Sequence, residues 1–557
     1  MFEKAHSKDY YNRRKSALEL ERSSFMPHWR ELSEFVRPRR GRFFISDRNR
    51  GIKKHQSIIN SKATKALQIA TAGMLAGTIS PSRPWFLLET YDQDLMKIGE
   101  VQDWLYQSEL ILRTILNESN FYGMASQSLN EVLLFGTSLM THIDDFEDVA
   151  RFYNHTTGSY SIGLNDRFEV DTVFREFDWT AGQMAKAFGI ENLSTTARNA
   201  IDKGNYDAWF PVCHIIEPNE SFYPKSPKAS NKPFKSVYYE PSTQGADKDK
   251  WLRVSGFDEF PAYAFRWDVT GEDIYGTDCP GMTALGDIKG LQIEEKRKAQ
   301  AIDLMVRPLL TGPATLKNSP IQSLPGGLTL YDGDDQRQQL RPIYQIQPNL
   351  QELRLDMEAV ERRIDEAFFV DMFMAISSME GIQPRNQMDL IHRNEERLLQ
   401  LGPVLERLHG EFLDKVIDRL FNQALKADIL PPIPAALAAQ PLRINYVSSL
   451  AMAQRAVATQ SIDRVAAFAA GLLSAGFEQV REKVDAENAL DEYSKAVGAP
   501  PSILVAADVL AERRAEQAQQ VQEQQAMEQM QQGAQIAQTA AGAKTDERNL
   551  LTDVMNG

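Results

Sequence analysis

The chain has 557 residues, 43 % of them apolar and 25 % charged, with a formal charge of −14. That is an ordinary soluble composition with room for roughly two to four domains. No apolar run is long enough to cross a bilayer, because Lys62, Lys65 and Gln68 interrupt the most apolar early stretch, 57–76. The acidic total excludes a protein that grips DNA by neutralising many phosphates, though not one that lets DNA pass by. Two cysteines, Cys213 and Cys279, exclude a disulfide framework and a cysteine zinc site and read as buried apolar fillers.

The N-terminal stretch MFEKAHSKDYYNRRK lacks the apolar core of a secretory signal. Leu18, Leu20, Phe25, Trp29, Leu32 and Phe35 follow at helical spacing. The segment 37–54 then carries eight basic residues (Arg37, Arg39, Arg40, Arg42, Arg48, Arg50, Lys53, Lys54) against Asp47, with Phe43 and Phe44 between them. Such a run suits phosphates and stacked bases. It suits equally an ion-paired interface between subunits, where arginine is favoured. Residues 55–140 read as helices joined by the turn-rich SPSRPW.

From 141 to 282 the pattern is mixed α/β. RFEVDTVFREFDWT alternates in strand fashion, FKSVYYE and AYAFRWDV are strand-like, and Thr180 can cap a short helix over TAGQMAKAFG. A long helix is expected from about Thr283 to Met305, ending before Arg307-Pro308 and spanning roughly 35 Å. A Gly/Pro-rich segment, 308–348, follows.

A second long helix starts near Asn349. Leu350, Leu353, Met357, Val360, Ile364 and Ala367 are spaced by alternating threes and fours, a narrow seam for one or two neighbours. Its other faces are acidic, with seven acids against three bases between 350 and 371. Gly381 and Pro384 break the pattern in AISSMEGIQPRN. A third helix carries the seam Leu398, Leu401, Leu405, Leu408 and Phe412, with Gly402-Pro403 expected to kink it. PLRINYVSS reads as a strand, and Ala- and Gln-rich helical sequence follows to a polar tail.

No P-loop, G-x-S-x-G, H-E-x-x-H or C-x-x-C motif is present. His392 and Glu396 lack a third ligand, and Asp332, Asp334 and Asp335 lack the glycine and closing glutamate of a calcium loop. Asp171, Glu176, Asp178, Tyr238 and Tyr239 could be assembled into an unrecognised site, but no spacing compels it. We therefore expect no enzyme, no metal and no cofactor.

Four stretches, WRELSEFVRPRRGRF (29–43), SIINSKATKALQIATAGMLAGTISPSRPWFLL (57–88), GDIKGLQIEEKRKAQAIDLMVRPLL (286–310) and SMEGIQPRNQMDLIHRNEERLLQLGPVLERL (378–408), resemble the head-to-tail connector (portal) family of short-tailed phages. The element order resembles that family too. The resemblance implies an α+β, mainly helical portal fold: a wing (1–282), a first stem helix (283–307), a clip (308–348) and a second stem helix (349–373). A tunnel loop (374–386), a kinked spine helix (387–450), a helical crown (451–530) and a disordered tail (531–557) would complete it.

It further implies a homo-oligomeric ring, usually of twelve, at one capsid vertex of the virion, assembled in the host cytoplasm. Double-stranded DNA would pass through the ring, and its partners would be major capsid and scaffolding proteins, the terminase large subunit (the packaging ATPase, a separate chain) and a tail adaptor. No membrane insertion is implied. On this reading Glu352, Asp356, Glu361 and Asp365 are candidates to line the channel. Ser377, Ser378, Gly381, Gln383, Pro384, Arg385 and Asn386 form the DNA-proximal loop. Arg37, Arg39, Arg40 and Arg42 contact DNA or a neighbouring subunit. The competing reading is a scaffold or tail protein of helical bundles without a channel.

Overall fold

The computed structural model describes residues 7–43, 51, 53–92, 94–145, 149–223, 228–241, 243, 247–248, 250–308, 310–311, 341–342, 349–378, 400–437 and 440–447, with scattered positions between 467 and 532. The Gly/Pro-rich segment after the first long helix, the stretch 379–399 and nearly all of the C-terminal region lie outside this set. So do His392, Glu396, Asp332, Asp334 and Asp335.

The chain forms two compact units. One comprises Met1–Trp85, Leu112–Ile429 and Val447–Gln460, and the other Phe86–Ile111, Leu430–Tyr446 and Ser461–Gly557. The first unit opens with α1 (Lys8–Ser23) and α2 (Met26–Val36). Ser7 caps α1 by accepting from the Tyr10 amide. After the basic segment comes α3 (Lys62–Thr78), then α5 (Phe121–Phe135), which ends on Gly136 in the left-handed region.

Two antiparallel sheets follow. β2 (Thr137–Asp145) lies between β3 (Val149–His155) and β9 (Ala262–Arg266). The second sheet has the order β4 (Tyr160–Leu164), β5 (Val170–Thr180), β6 (Trp209–Pro218), β7 (Phe234–Tyr239), β8 (Arg253–Phe257). Strand alternation divides its faces. Phe174, Cys213, Ile215, Val237 and Tyr239 pack against Tyr11 and Leu18 of α1. On the other face Val212, Phe177, Trp179 and Tyr238 pack with α6 (Ala181–Phe188) and α7 (Thr195–Asp202). Thr180 caps α6 as expected, in a reciprocal box with Gln183. Cys213 and Cys279 are both buried and unpaired, and burial pushes each thiol up to about 12.

The long helices are α8 (Pro280–Val306) and α9 (Leu350–Ala367), followed by α10 (Val370–Ser378). Gly73 lets α3 approach α10 closely, since a Cβ there would meet Phe373 Cβ at 2.3 Å. The later helical run is not one kinked rod. Gly402–Arg407 starts afresh with Pro403 in its first turn, where the missing amide costs nothing. It continues as a π-helical stretch, Leu408–Leu413, and then Asp414–Lys426. Its seam residues Leu401, Leu405, Leu408 and Phe412 are all buried, whereas Leu398 lies outside the described residues.

In the second unit β1 (Phe86–Thr90) pairs antiparallel with β12 (Leu442–Tyr446), from Phe86 opposite Tyr446 to Thr90 opposite Leu442. Asn445 Nδ2 donates to Glu89 at 2.5 Å. α4 (Gly99–Glu118) begins here, and its Trp104 Nε1 donates to the Pro431 carbonyl at 2.9 Å. The sequence expectation had β12 but not β1. The five residues FLLET carry no alternation beyond their own length, and their partner is more than 350 positions away. Among the described residues no helix is long and apolar enough to cross a membrane.

Candidate functional site: the long helices and the basic segment

The helix pair is built as its seam suggests. Asn349 caps α9, its side chain accepting from the Glu352 amide at 3.3 Å. Met357, Val360 and Ile364 are buried; on α8 so are Ile288 and Leu291. Arg363 bridges to Asp287 across the pair at 2.9 Å, an exposed contact worth little by itself. The four acidic candidates divide into two pairs. Glu352 and Asp356 are exposed on α9. Glu361 and Asp365 are half-buried: Glu361 accepts from Asn60 at 3.0 Å, and Asp365 pairs with Lys62 at 2.5 Å. Of the expected loop residues, Ser377 and Ser378 end α10. Gly381, Gln383, Pro384, Arg385 and Asn386 lie outside the described residues.

The basic segment has an internal anchor that neither sequence-level alternative named. Arg40 Nη1 lies 3.5 Å from Oε1 of Glu131, a fully buried carboxylate on α5. Glu131 also accepts from the Thr157 amide and hydroxyl at 2.9 Å each and from Asn154 Nδ2 at 3.3 Å. Burial dominates those contacts and raises its carboxyl to about 7. Next along the chain, the Arg42 amide donates to the Thr157 carbonyl at 2.9 Å. Gly158 is required there: its φ is +91°, and a Cβ would stand 2.6 Å from the Arg42 carbonyl oxygen. Arg37 and Arg39 flank the anchored residue. Burial lowers the pKa of Arg37. No sequence signal marks Glu131, a single acid inside the apolar run of α5.

The sheet carries a second buried polar group without such a signal. Arg175 donates to Nδ1 of His214 at 3.1 Å and to Nδ1 of His155 at 3.0 Å, joining the five-stranded sheet to β3. Tyr238 stacks on His214 at 3.8 Å between centroids. Thr141 and Ser236 take the remaining ring nitrogens at 2.8 and 2.9 Å. Burial, then the Arg175 charge, holds both histidines well below their ordinary pKa, hence neutral. The acids and tyrosines weighed at the sequence level do not converge. Glu176 pairs with Lys15, and Tyr239 donates to Asn12 at 3.1 Å, both on the α1 side, whereas Tyr238 faces the other way. No metal-holding cluster of three or more His, Cys, Asp or Glu occurs among the described residues.

Residues 8–504 match the family model described as bacteriophage head to tail connecting protein. A portal protein of Salmonella phage epsilon15 is 38 % identical over 541 residues, which is 97 % of this chain and 96 % of that one. The chain belongs to the bacteriophage head to tail connecting protein family. A probable portal protein of Bordetella phage BPP-1 is likewise 38 % identical, over 538 residues, 96 % of each chain. Two solved structures of gene transfer agent particles are similar at 10 % identity. The neck structure has a TM-score of 0.28, covering 60 % of this chain and 72 % of that one. The virion structure has a TM-score of 0.32, covering 77 % and 92 %. For this head to tail connecting protein, the expected family and the α+β, mainly helical class both hold.

Proposed function

We propose that this chain is a portal subunit: copies close into a ring at one capsid vertex, and double-stranded DNA passes through the opening. The observation that carries the reading is 38 % identity along nearly the full length of a phage portal protein. The geometry agrees with it. A long antiparallel helix pair with a narrow apolar seam leaves outer faces free for neighbours and for an opening. Exposed Glu352 and Asp356, repeated around a ring, would present like charge to a duplex, so that it slides instead of sticking.

On this reading α8 and α9 are the stem, the segment between them is the clip, and residues 374–386 form the tunnel loop. The clip would meet the terminase large subunit during filling and the tail adaptor afterwards. Major capsid and scaffolding proteins would meet the wing, and a twelvefold ring is the expected stoichiometry. Assembly would take place in the host cytoplasm. Negative-stain imaging of purified protein tests the core of the reading: rings with a central hole are expected, whereas filaments or compact oligomers would favour a channel-free scaffold. Deleting 377–384 should leave rings intact and impair DNA packaging or retention; unchanged packaging removes the loop from the mechanism.

A further inference from the structure

Seams of apolar residues at alternating three and four spacing bury well, but they specify register poorly. Sliding one helix by seven residues, roughly 10 Å, puts like against like again. Coiled coils restore register with a single polar residue in the seam, whose hydrogen bonds are satisfied in one alignment only. The α8/α9 pair contains such a residue beside Ile288 and Leu291.

Gln292 is 5 % exposed. Its Oε1 accepts from the backbone amides of Ile59 and Asn60 at 2.7 and 2.8 Å, and its Nε2 donates to the Asn60 carbonyl at 2.9 Å. The side-chain amide thus pairs with the backbone much as a neighbouring strand would. Asn60 then spends its own side chain on both long helices. Its Nδ2 donates to Glu361 of α9 at 3.0 Å and to Glu295 of α8 at 3.4 Å. Its Oδ1 accepts from the Lys62 amide at 2.8 Å, opening α3. Lys62 adds the ion pair to Asp365, one helical turn from Glu361.

We propose that Gln292 and Asn60 are positioning residues that fix the axial register of α8 against α9 and tie both helices to the start of α3. Every polar atom of the two side-chain amides is used in this one alignment, and a slip of either helix leaves buried donors and acceptors unpaired. The inference goes beyond the portal reading and concerns a single chain, so it stands or falls whether or not copies form rings.

The test places cysteines at Asp287 and Arg363, whose side chains meet in this register, and separately at Asp287 and Asp356, seven residues out of register. A short bifunctional maleimide is added, and intrachain products are counted by peptide mass. With Gln292 intact the 287–363 product should dominate. In Gln292→Met, which keeps length and apolar bulk, the ratio of the 287–363 to the 287–356 product should fall at least fivefold. Amides 59 and 60 should also exchange hydrogen roughly five- to tenfold faster, as expected for one lost buried hydrogen bond. A folded Gln292→Met chain with an unchanged ratio overturns the proposal.

Should Gln292→Met fail to fold, the reciprocal pair decides. Asn60→Asp sets three carboxylates together and should lower the ratio, and adding Glu361→Gln, which supplies a donor, should recover most of it. A purely local role for Asn60 predicts no recovery, and that result also overturns the proposal.

Discussion

Two buried arginine sites sit in the same unit and solve the same problem in opposite ways. Arg40 meets a carboxylate: Glu131, fully buried, with Thr157 and Asn154 filling its other acceptor sites. Arg175 meets no acid among the described residues and rests on two neutral histidines. Burial penalises charge at both, yet the protonation consequences point in opposite directions. At the first site burial favours the protonated, neutral carboxyl, and at the second the deprotonated, neutral imidazoles. A charge in this chain therefore cannot be given a role from its type alone. The exposed acids Glu352 and Asp356 and the buried acid Glu131 are chemically alike, and only burial separates a charge left to face a passing polymer from one that holds the basic segment down.

The largest effect expected from breaking this contrast is at Glu131. Glu131→Ala leaves the Arg40 charge and the Thr157 donors unpaired in the interior, so denaturant unfolding should show a loss of about 3–5 kcal/mol. A loss under about 1 kcal/mol would mean that water reaches the site. The pH dependence comes next. The Glu131 carboxyl is raised from an ordinary 4.5 to about 7 in the folded chain. Its contribution is therefore fully present below pH 4.5 and is lost as the pH rises through 7, a change of about 3 kcal/mol. Glu131→Gln should remove that limb. Unfolding curves of the variant and parent measured at pH 4.5 and pH 7.5 should diverge by that amount, in favour of the glutamine at the higher pH.

The second site should give the opposite limb. Both histidines have lowered folded pKa values, so their contribution is present above their unfolded value near 6.5 and is lost as pH falls below it. A His155→Gln/His214→Gln chain should lose about 1–2 kcal/mol at pH 7 through its altered hydrogen bonds. It should also show a flatter decline on acidification than the parent; an equally steep decline would place the titrating groups elsewhere. The smallest effect belongs to the exposed acids. Glu352→Gln/Asp356→Asn should change stability by no more than about 0.5 kcal/mol. Its effect should instead appear in particles, as slower or more salt-sensitive DNA passage.

The legible features were those written in local pattern. The seams of α9 and of the later helical run, the caps at Thr180 and Asn349, and the strands over 170–180 and 234–239 could all be read from spacing and residue type. Features made by distant residues were not legible. β1 depends on β12, Arg40 on Glu131 across 91 positions, and Arg175 on His155 and His214 from two other strands. The candidate site was legible as an acidic helix face, but the division between Glu352 and Asp356 on one side and Glu361 and Asp365 on the other was not. That division is set by Asn60 and Lys62, some 300 residues earlier. Nothing in their own surroundings marks those two residues as partners of α9.

The claim on which the functional account rests is that α9 borders an opening in a closed assembly of this chain. Three-dimensional reconstruction of the purified assembly, with mass measurement to count the copies, tests it most directly. The account predicts an annulus with Glu352 and Asp356 of every copy facing an aperture wide enough for a duplex. A closed assembly in which those two residues are buried between copies, or a chain that stays monomeric under every solution condition, would contradict it.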